Sequence, residues 1–244
     1  ALMLASHGVE VVGTDYNQDL VNELQAGRVT FKEDGLDELF AKALNDGIKF
    51  TSEYQQTDTY IVSVPTPYDE TSKKIDATYV VNAVKQVLEV CNPGTVVVVE
   101  STISPGTIDK FVRPLVEQYK LEHGKEVHLV HAPERIIPGN MMYELVHNNR
   151  TIGADSREVA ERVKSIYASF CQGEIVLTDI RTAEMSKVVE NTFRAVNIAF
   201  ANELQRLCHY AGMDVREIIR ISNMHPRVNI ANPGPGVGGH CIPV

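Results

Sequence analysis

At 244 residues the chain can bury a sizeable core and has room for one large domain or two small ones. Its 32 acidic and 23 basic residues leave a net charge of −9 with no Lys/Arg run, which argues against nucleic acid or an anionic membrane as the main partner. No apolar stretch reaches membrane length, and Cys91, Cys171, Cys208 and Cys241 lack CxxC spacing, so neither a zinc site nor a disulfide framework is indicated. That cysteine usage fits a reducing cytoplasm.

In chain order, 2–6 reads as the tail of a helix and 9–13 as a short apolar strand leading into Asp15. Helical patterns follow over 19–26 and 36–45. A strand over 60–64 stops at Pro65-Thr66-Pro67, where proline forbids helix and ladder alike. A helix over 77–90, a strand over 95–100, a helix over 106–122 and a strand over 127–131 continue the rhythm. After a loop at 133–139 come a strand near Thr151, a helix over 157–170 and a strand over 174–177. A long helix then runs over 182–211. Apolar, β-branched strands alternating with helices predict an α/β fold. The expected form is a Rossmann-like, doubly wound, mostly parallel sheet, followed by the long helix and the start of an all-helical domain. We place a domain boundary between 178 and 179, ahead of the long helix.

In such a sheet, ligands bind beyond the carboxyl ends of the strands. Asp15, Thr66, Ser101, Thr102 and Glu134 all fall there. An Asp closing the second strand of a dinucleotide fold bonds the adenosine ribose hydroxyls; otherwise it is a turn residue. Thr66 and Thr102 offer short donors to a nicotinamide or ribose, or serve as ordinary turn and cap residues. On the long helix, Lys187, Asn191 and Arg194 are spaced i, i+4, i+7 and share one face. Lys and Asn one turn apart can bind one oxygen or water, the Lys as proton donor and the Asn as a fixed dipole; a solvated polar face is the plainer reading. The stripe beside them, including Met185, Val189, Val196, Phe200 and Leu207, reads as core. Arg194 and Arg227 suit a phosphate or carboxylate. Finally, 234–244 is a glycine- and proline-rich loop that presents one thiol, Cys241, between an imidazole and an isoleucine. Small neighbours and free backbone N–H groups suit a nucleophile; a buried structural thiol is the alternative.

Taken together, several motifs resemble the UDP-glucose/GDP-mannose dehydrogenase family. They are Val64-Pro65-Thr66-Pro67, Glu100-Ser101-Thr102, the PERIIPG run from Pro133, the KVVENTFRAVNIAFANEL run from Lys187, the HPRVN run from His225, and Gly236-Val237-Gly238-Gly239-His240-Cys241. The resemblance implies a cytoplasmic NAD-dependent oxidoreductase of polysaccharide biosynthesis, acting on a UDP-sugar and dimeric through the long helix. It implies a four-electron oxidation in which Cys241 carries the covalent intermediate. Lys187 and Asn191 then handle the alcohol proton and the oxyanions, and Glu134 is a site carboxylate near the hydrolytic water. Arg135, Ile136, Lys187, Asn191, Arg194, His225, Arg227 and Gly238 match positions that hold the nucleotide sugar in the branch acting on UDP-N-acetylmannosamine. In the glucose branch a second Glu stands where this chain has Pro138. No metal is implied. Two alternatives stay open: a two-electron dehydrogenase using Lys187 and Asn191, and a non-catalytic nucleotide-binding fragment. The pattern also leads one to expect a strand and Gly-rich turn before Ala1 and a further domain after Val244.

Overall fold

Five successive residues, Thr95–Val99, are β-branched and buried on every position, which requires cover on both faces of a sheet. The fold is built around that strand. The structure, a computed structural model, describes residues 1–237 apart from Glu70, Ser72 and Pro138.

The chain opens with α1 (Leu2–Ala5), β1 (Val12–Thr14), α2 (Gln18–Gln25), α3 (Leu36–Asn45) and β2 (Lys49–Thr51). Next come β3 (Thr59–Val62), a small hairpin of β4 (Tyr68–Asp69) and β5 (Lys74–Ile75), α4 (Thr78–Val90) and β6 (Thr95–Val99). A wide π-type turn, Ile108–Val112, leads without a break into α5 (Arg113–His123). Then follow β7 (Val127–His131), α6 (Met141–His147), β8 (Arg150–Ala154), α7 (Arg157–Tyr167) and β9 (Ile175–Thr178). The last described elements are the 32-residue α8 (Ile180–Ala211) and α9 (Val215–Ser222).

The main sheet has the order β3-β6-β7-β8-β9. It is parallel except between β7 and β8, where the chain returns through the short α6 and pairs antiparallel, His131 opposite Gly153. β1 and β2 form a separate parallel pair rather than joining that sheet. Alternate residues of β6 point to opposite cores. Val97 and Val99 meet Val80, Val84 and Val87 of α4, Val116 of α5 and Ile180 of α8. Val96 and Val98 meet Leu4 of α1, Ile152 of β8 and Val159, Val163 and Tyr167 of α7. Both faces are covered, as the strand composition demands.

Local chemistry sets the ends. Asp179 accepts from the Thr182 N–H at 2.9 Å and starts α8 at Ile180, two residues before the predicted start. Gly212, at φ 67°, ends it. The first strand starts at Val12 rather than 9, because the chain leaves α1 through a turn in which the Val9 N–H still bonds the Leu4 carbonyl. The π-type turn, the β4–β5 hairpin, β2, α6 and α9 are additions to what the sequence predicted. The apolar stripe of α8 reverses its expectation. Met185, Val189, Val196, Phe200 and Leu207 are not core: each is more than half exposed. No helix among the described residues is long and apolar enough to cross a membrane.

Candidate active site

β3, β6 and β7 run parallel in adjacent places, so their carboxyl ends share one edge of the sheet. Side chains weld the loops there together. The Ser101 hydroxyl donates to the Val64 carbonyl at 2.7 Å and accepts from the Val64 N–H at 2.9 Å. Thr66 donates to the Thr102 carbonyl at 2.8 Å, so what its hydroxyl presents outward is acceptor lone pairs rather than a proton. Asp15 closes β1 on the separate pair, where one carboxylate oxygen accepts from the Asn17 N–H at 2.8 Å. The Asp15 carboxylate and the Thr66 hydroxyl oxygen, at strand ends, are acceptors that fit the ribose hydroxyls of a dinucleotide.

Behind this edge lies a charged network, half-buried at Glu100 and Glu134 and buried at Arg150 and Tyr167. Glu100 accepts from Ser63 at 2.7 Å and from the Tyr167 hydroxyl at 2.5 Å. The Arg150 guanidinium lies 4.8 Å from the Tyr167 ring centroid and 5.3 Å from that of Phe170, and donates to Glu134 at 3.0 Å. The other Glu134 oxygen accepts from the backbone N–H groups of Arg135, at 2.7 Å, and Ile136, at 3.3 Å. Glu134 is therefore an organised carboxylate, held on both oxygens. Burial works against the charge on Arg150, but Glu134, Tyr167 and Glu100 outweigh it and raise its pKa. Burial, reinforced by the charge on Glu100, pushes the Tyr167 phenol well up. His131, at the end of β7, is wholly buried; its Nδ1 lies 2.8 Å from the Val99 carbonyl. Burial pulls its pKa down to about 4, the Val99 bond opposing, so the ring is neutral.

α8 lies over this edge. Lys187 and Asn191 are both buried, at 9% and 8% exposure, which is unusual for either residue type without a role. Arg194, expected on the same face, is exposed instead. The loop after β7 is tied to α8: Arg135 pairs with Glu190 at 2.7 Å and also donates to Thr151 at 2.9 Å and to the Asn149 carbonyl at 3.3 Å. Thus the structure brings Glu134, Arg135 and Ile136 to the turn of α8 that carries Lys187 and Asn191. His225 and Arg227 lie in an exposed turn after α9 and join no part of this cluster among the described residues. Gly238, Cys241 and Pro138 lie outside the described residues.

Sequence reasoning passed over three groups. Glu184, three residues before Lys187 on the same face, is fully buried and accepts from the N–H groups of Gly106 and Ile108. Arg150 holds Glu134 in place. Asn197 brackets the stretch leading to the thiol loop, donating to the Asn229 carbonyl at 2.7 Å and accepting from the Ala231 N–H at 2.9 Å. The only signal for Glu184 was its i−3 spacing from Lys187.

The family model for the NAD-binding domain of the UDP-glucose/GDP-mannose dehydrogenases matches residues 1–171, and that for their central domain matches 181–244. The chain belongs to the UDP-glucose/GDP-mannose dehydrogenase family. The mostly parallel sheet is this family's Rossmann-type NAD-binding domain. Among relatives, the UDP-N-acetyl-D-mannosamine dehydrogenase of Methanococcus maripaludis is 44% identical over all of this chain and 56% of its own length. The NDP-N-acetyl-D-galactosaminuronic acid dehydrogenase of Ralstonia solanacearum is 41% identical, over all of this chain and 59% of its own. The solved UDP-D-ManNAc dehydrogenase of Pyrococcus horikoshii superposes with a TM-score of 0.93 at 41% identity, covering 99% of this chain and 58% of that one. The chain thus spans just over half the length of these relatives.

Proposed function

We propose that this chain is the NAD-binding domain (1–178) and the beginning of the central domain (179–244) of an NAD-dependent UDP-sugar 6-dehydrogenase. The substrate we assign is UDP-N-acetyl-D-mannosamine, oxidised to UDP-N-acetyl-D-mannosaminuronate. The observation that carries the reading is the buried Lys187–Asn191 pair on α8, beside a loop whose carboxylate, Glu134, is fixed on both oxygens. Relatives matching the whole chain and named for this substrate support the choice of sugar.

Over the whole reaction, the C6 alcohol, two NAD⁺ and one water give the carboxylate, two NADH and three protons. NAD supplies a two-electron, hydride-accepting step at each of the two oxidations. Lys187 takes up the alcohol proton, and the ammonium so formed and the fixed Asn191 amide dipole then stabilise the developing oxyanions, both being strong there because water is excluded. The Cys241 thiolate adds to the C6 aldehyde; loss of hydride from the thiohemiacetal leaves a thioester, which water opens to release the thiol. Glu134 orients that water, and Arg150 keeps its carboxylate in place. Asp15, Thr66 and Thr102 bind the cofactor. Arg135, Ile136, Arg194, His225, Arg227 and Gly238 bind the nucleotide sugar. The exposed apolar stripe of α8 packs against a second copy, giving a cytoplasmic homodimer.

In the full-length protein, Cys241→Ser should abolish overall turnover while UDP-sugar binding, measured by calorimetry, stays within about twofold, because an alkoxide is a far poorer leaving group than a thiolate. The wild type should form two NADH per UDP-N-acetylmannosamine and work poorly on UDP-glucose. One NADH per sugar would move the assignment to a two-electron dehydrogenase, and full activity with serine would end the covalent route.

A further inference from the structure

Among the described residues, Glu184 is the only carboxylate with no exposed surface. Its two oxygens accept from the Gly106 N–H at 2.5 Å and the Ile108 N–H at 3.0 Å, across 78 and 76 residues of sequence. Those donors open the helix that begins with the π-type turn at Ile108, so the cap on that helix comes from α8 rather than from a neighbouring side chain. The positive end of the helix suits an anion and explains why a carboxylate is kept despite its burial. Burial raises the Glu184 pKa, and the two backbone bonds act against that rise.

The tie sits between two rigid parts. On one side, the loop after β6 is already fixed to the β3 loop by Ser101 and Thr66. On the other, the start of α8 rests directly on β8: a Cβ at Gly153 would come within 2.6 Å of the Asp179 carbonyl and 2.7 Å of the Ala183 Cβ. Glu184 joins these parts one turn before Lys187.

We propose that Glu184 is a positioning residue: it sets the register of α8, and so of Lys187 and Asn191, against the Glu100–Gly106 loop that carries Thr102. This rests on the functional reading above, in which that loop holds cofactor and the helix holds the proton-transfer groups. Glutamine at 184 keeps the shape but turns one acceptor into an NH₂ facing a backbone N–H. One bond is lost and the loop and helix shift apart. Misplacement of reacting groups by about 1 Å costs on the order of a hundredfold in rate.

The test is Glu184→Gln in the full-length protein, with Glu184→Asp as a second variant that keeps the charge on a shorter arm. We expect kcat to fall about ten- to a hundredfold in both, with KM for the UDP-sugar within twofold of wild type. The deuterium isotope effect on kcat, measured with sugar deuterated at C6, should rise as hydride transfer becomes limiting. Partial unfolding would lower kcat and leave that isotope effect unchanged, and this outcome overturns the proposal, as does an unaltered kcat in either variant. Amide exchange at Gly106 and Ile108 needs no substrate: both should exchange faster in Glu184→Gln, and unchanged protection also overturns it. If the wild type makes no NADH from UDP-N-acetylmannosamine, the functional reading falls by itself, while the exchange measurement still decides whether Glu184 holds the loop.

Discussion

α8 has two faces that invert the usual rule. Inward it buries Glu184, Lys187 and Asn191; outward it exposes Met185, Val189, Phe193, Val196, Phe200 and Leu207. Burying a Lys and a Glu costs free energy unless each has a matched environment, and exposing a long apolar stripe gains none until something covers it. A helix optimised for the stability of this chain alone would exchange the two sets. In the function proposed above, both faces are shaped by what they meet, the inner one a reacting group and the outer one a second copy. Between them lies the anchoring contact with Gly153, which fixes how far the helix is rotated and therefore which face looks inward.

Three measurements can break this contrast. The largest effect should come from the inner face. Lys187→Ala in the full-length enzyme should lower kcat by up to about 10⁴-fold, the upper range of what a positioned acid–base group contributes. Retention of most of the activity would return Lys187 to the role of a buried structural cation. Next comes the outer face. Replacing Phe193 and Phe200 together by Asp should weaken dimerisation by about 10³-fold, since interface anchors are commonly worth 2 kcal/mol or more each. Sedimentation velocity over a range of concentrations reads this directly, and an undisturbed dimer would mean that the stripe is covered by something else. The smallest effect concerns the polar groups buried under the helix. His131 titrates near 4 when folded and near 6.5 when unfolded. Between those values the unfolded chain holds more protons, so stability is full above pH 6.5 and is lost as the pH falls towards 4. The loss attributable to His131 amounts to about 3 kcal/mol. Urea unfolding of His131→Leu and wild type at several pH values should show the variant with the shallower acid slope. Parallel slopes would show that the ring is not held neutral.

Much of the fold was legible because it rests on periodicity. Val127–His131 and Leu36–Asn45 have the predicted bounds, and Thr95–Val99 is one residue shorter than the strand predicted over 95–100. What periodicity cannot report is the identity of the covering surface. The α8 stripe had the spacing of a core face, yet the rest of the described chain does not reach it. Likewise α6, seven residues long, has no fully buried residue although Leu145 and Val146 pack against the core, and it is too short for a helical period to stand out. The β4–β5 turn places Lys73 at φ 55°, a position where the sequence offers no glycine as a cue. At the site, Lys187 and Asn191 were readable from their spacing on one helix. Arg150 and Glu184 were not, since their partners are Glu134, Gly106 and Ile108, and only the folded chain brings them within reach.

The length of α8 has a mechanical consequence. At 1.5 Å per residue, Leu207 stands about 35 Å from Glu184 and Asn191 only about 10 Å. If the helix swings about its clamped end, it acts as a lever that reduces motion towards the pivot. A 3 Å displacement at Leu207 reaches Asn191 as about 1 Å, and Lys187 as still less. The distal half can therefore settle against whatever it touches, and tolerate imperfect settling, with little disturbance at Lys187 and Asn191. Errors at the pivot have no such protection, because there they are passed to Lys187 undiminished.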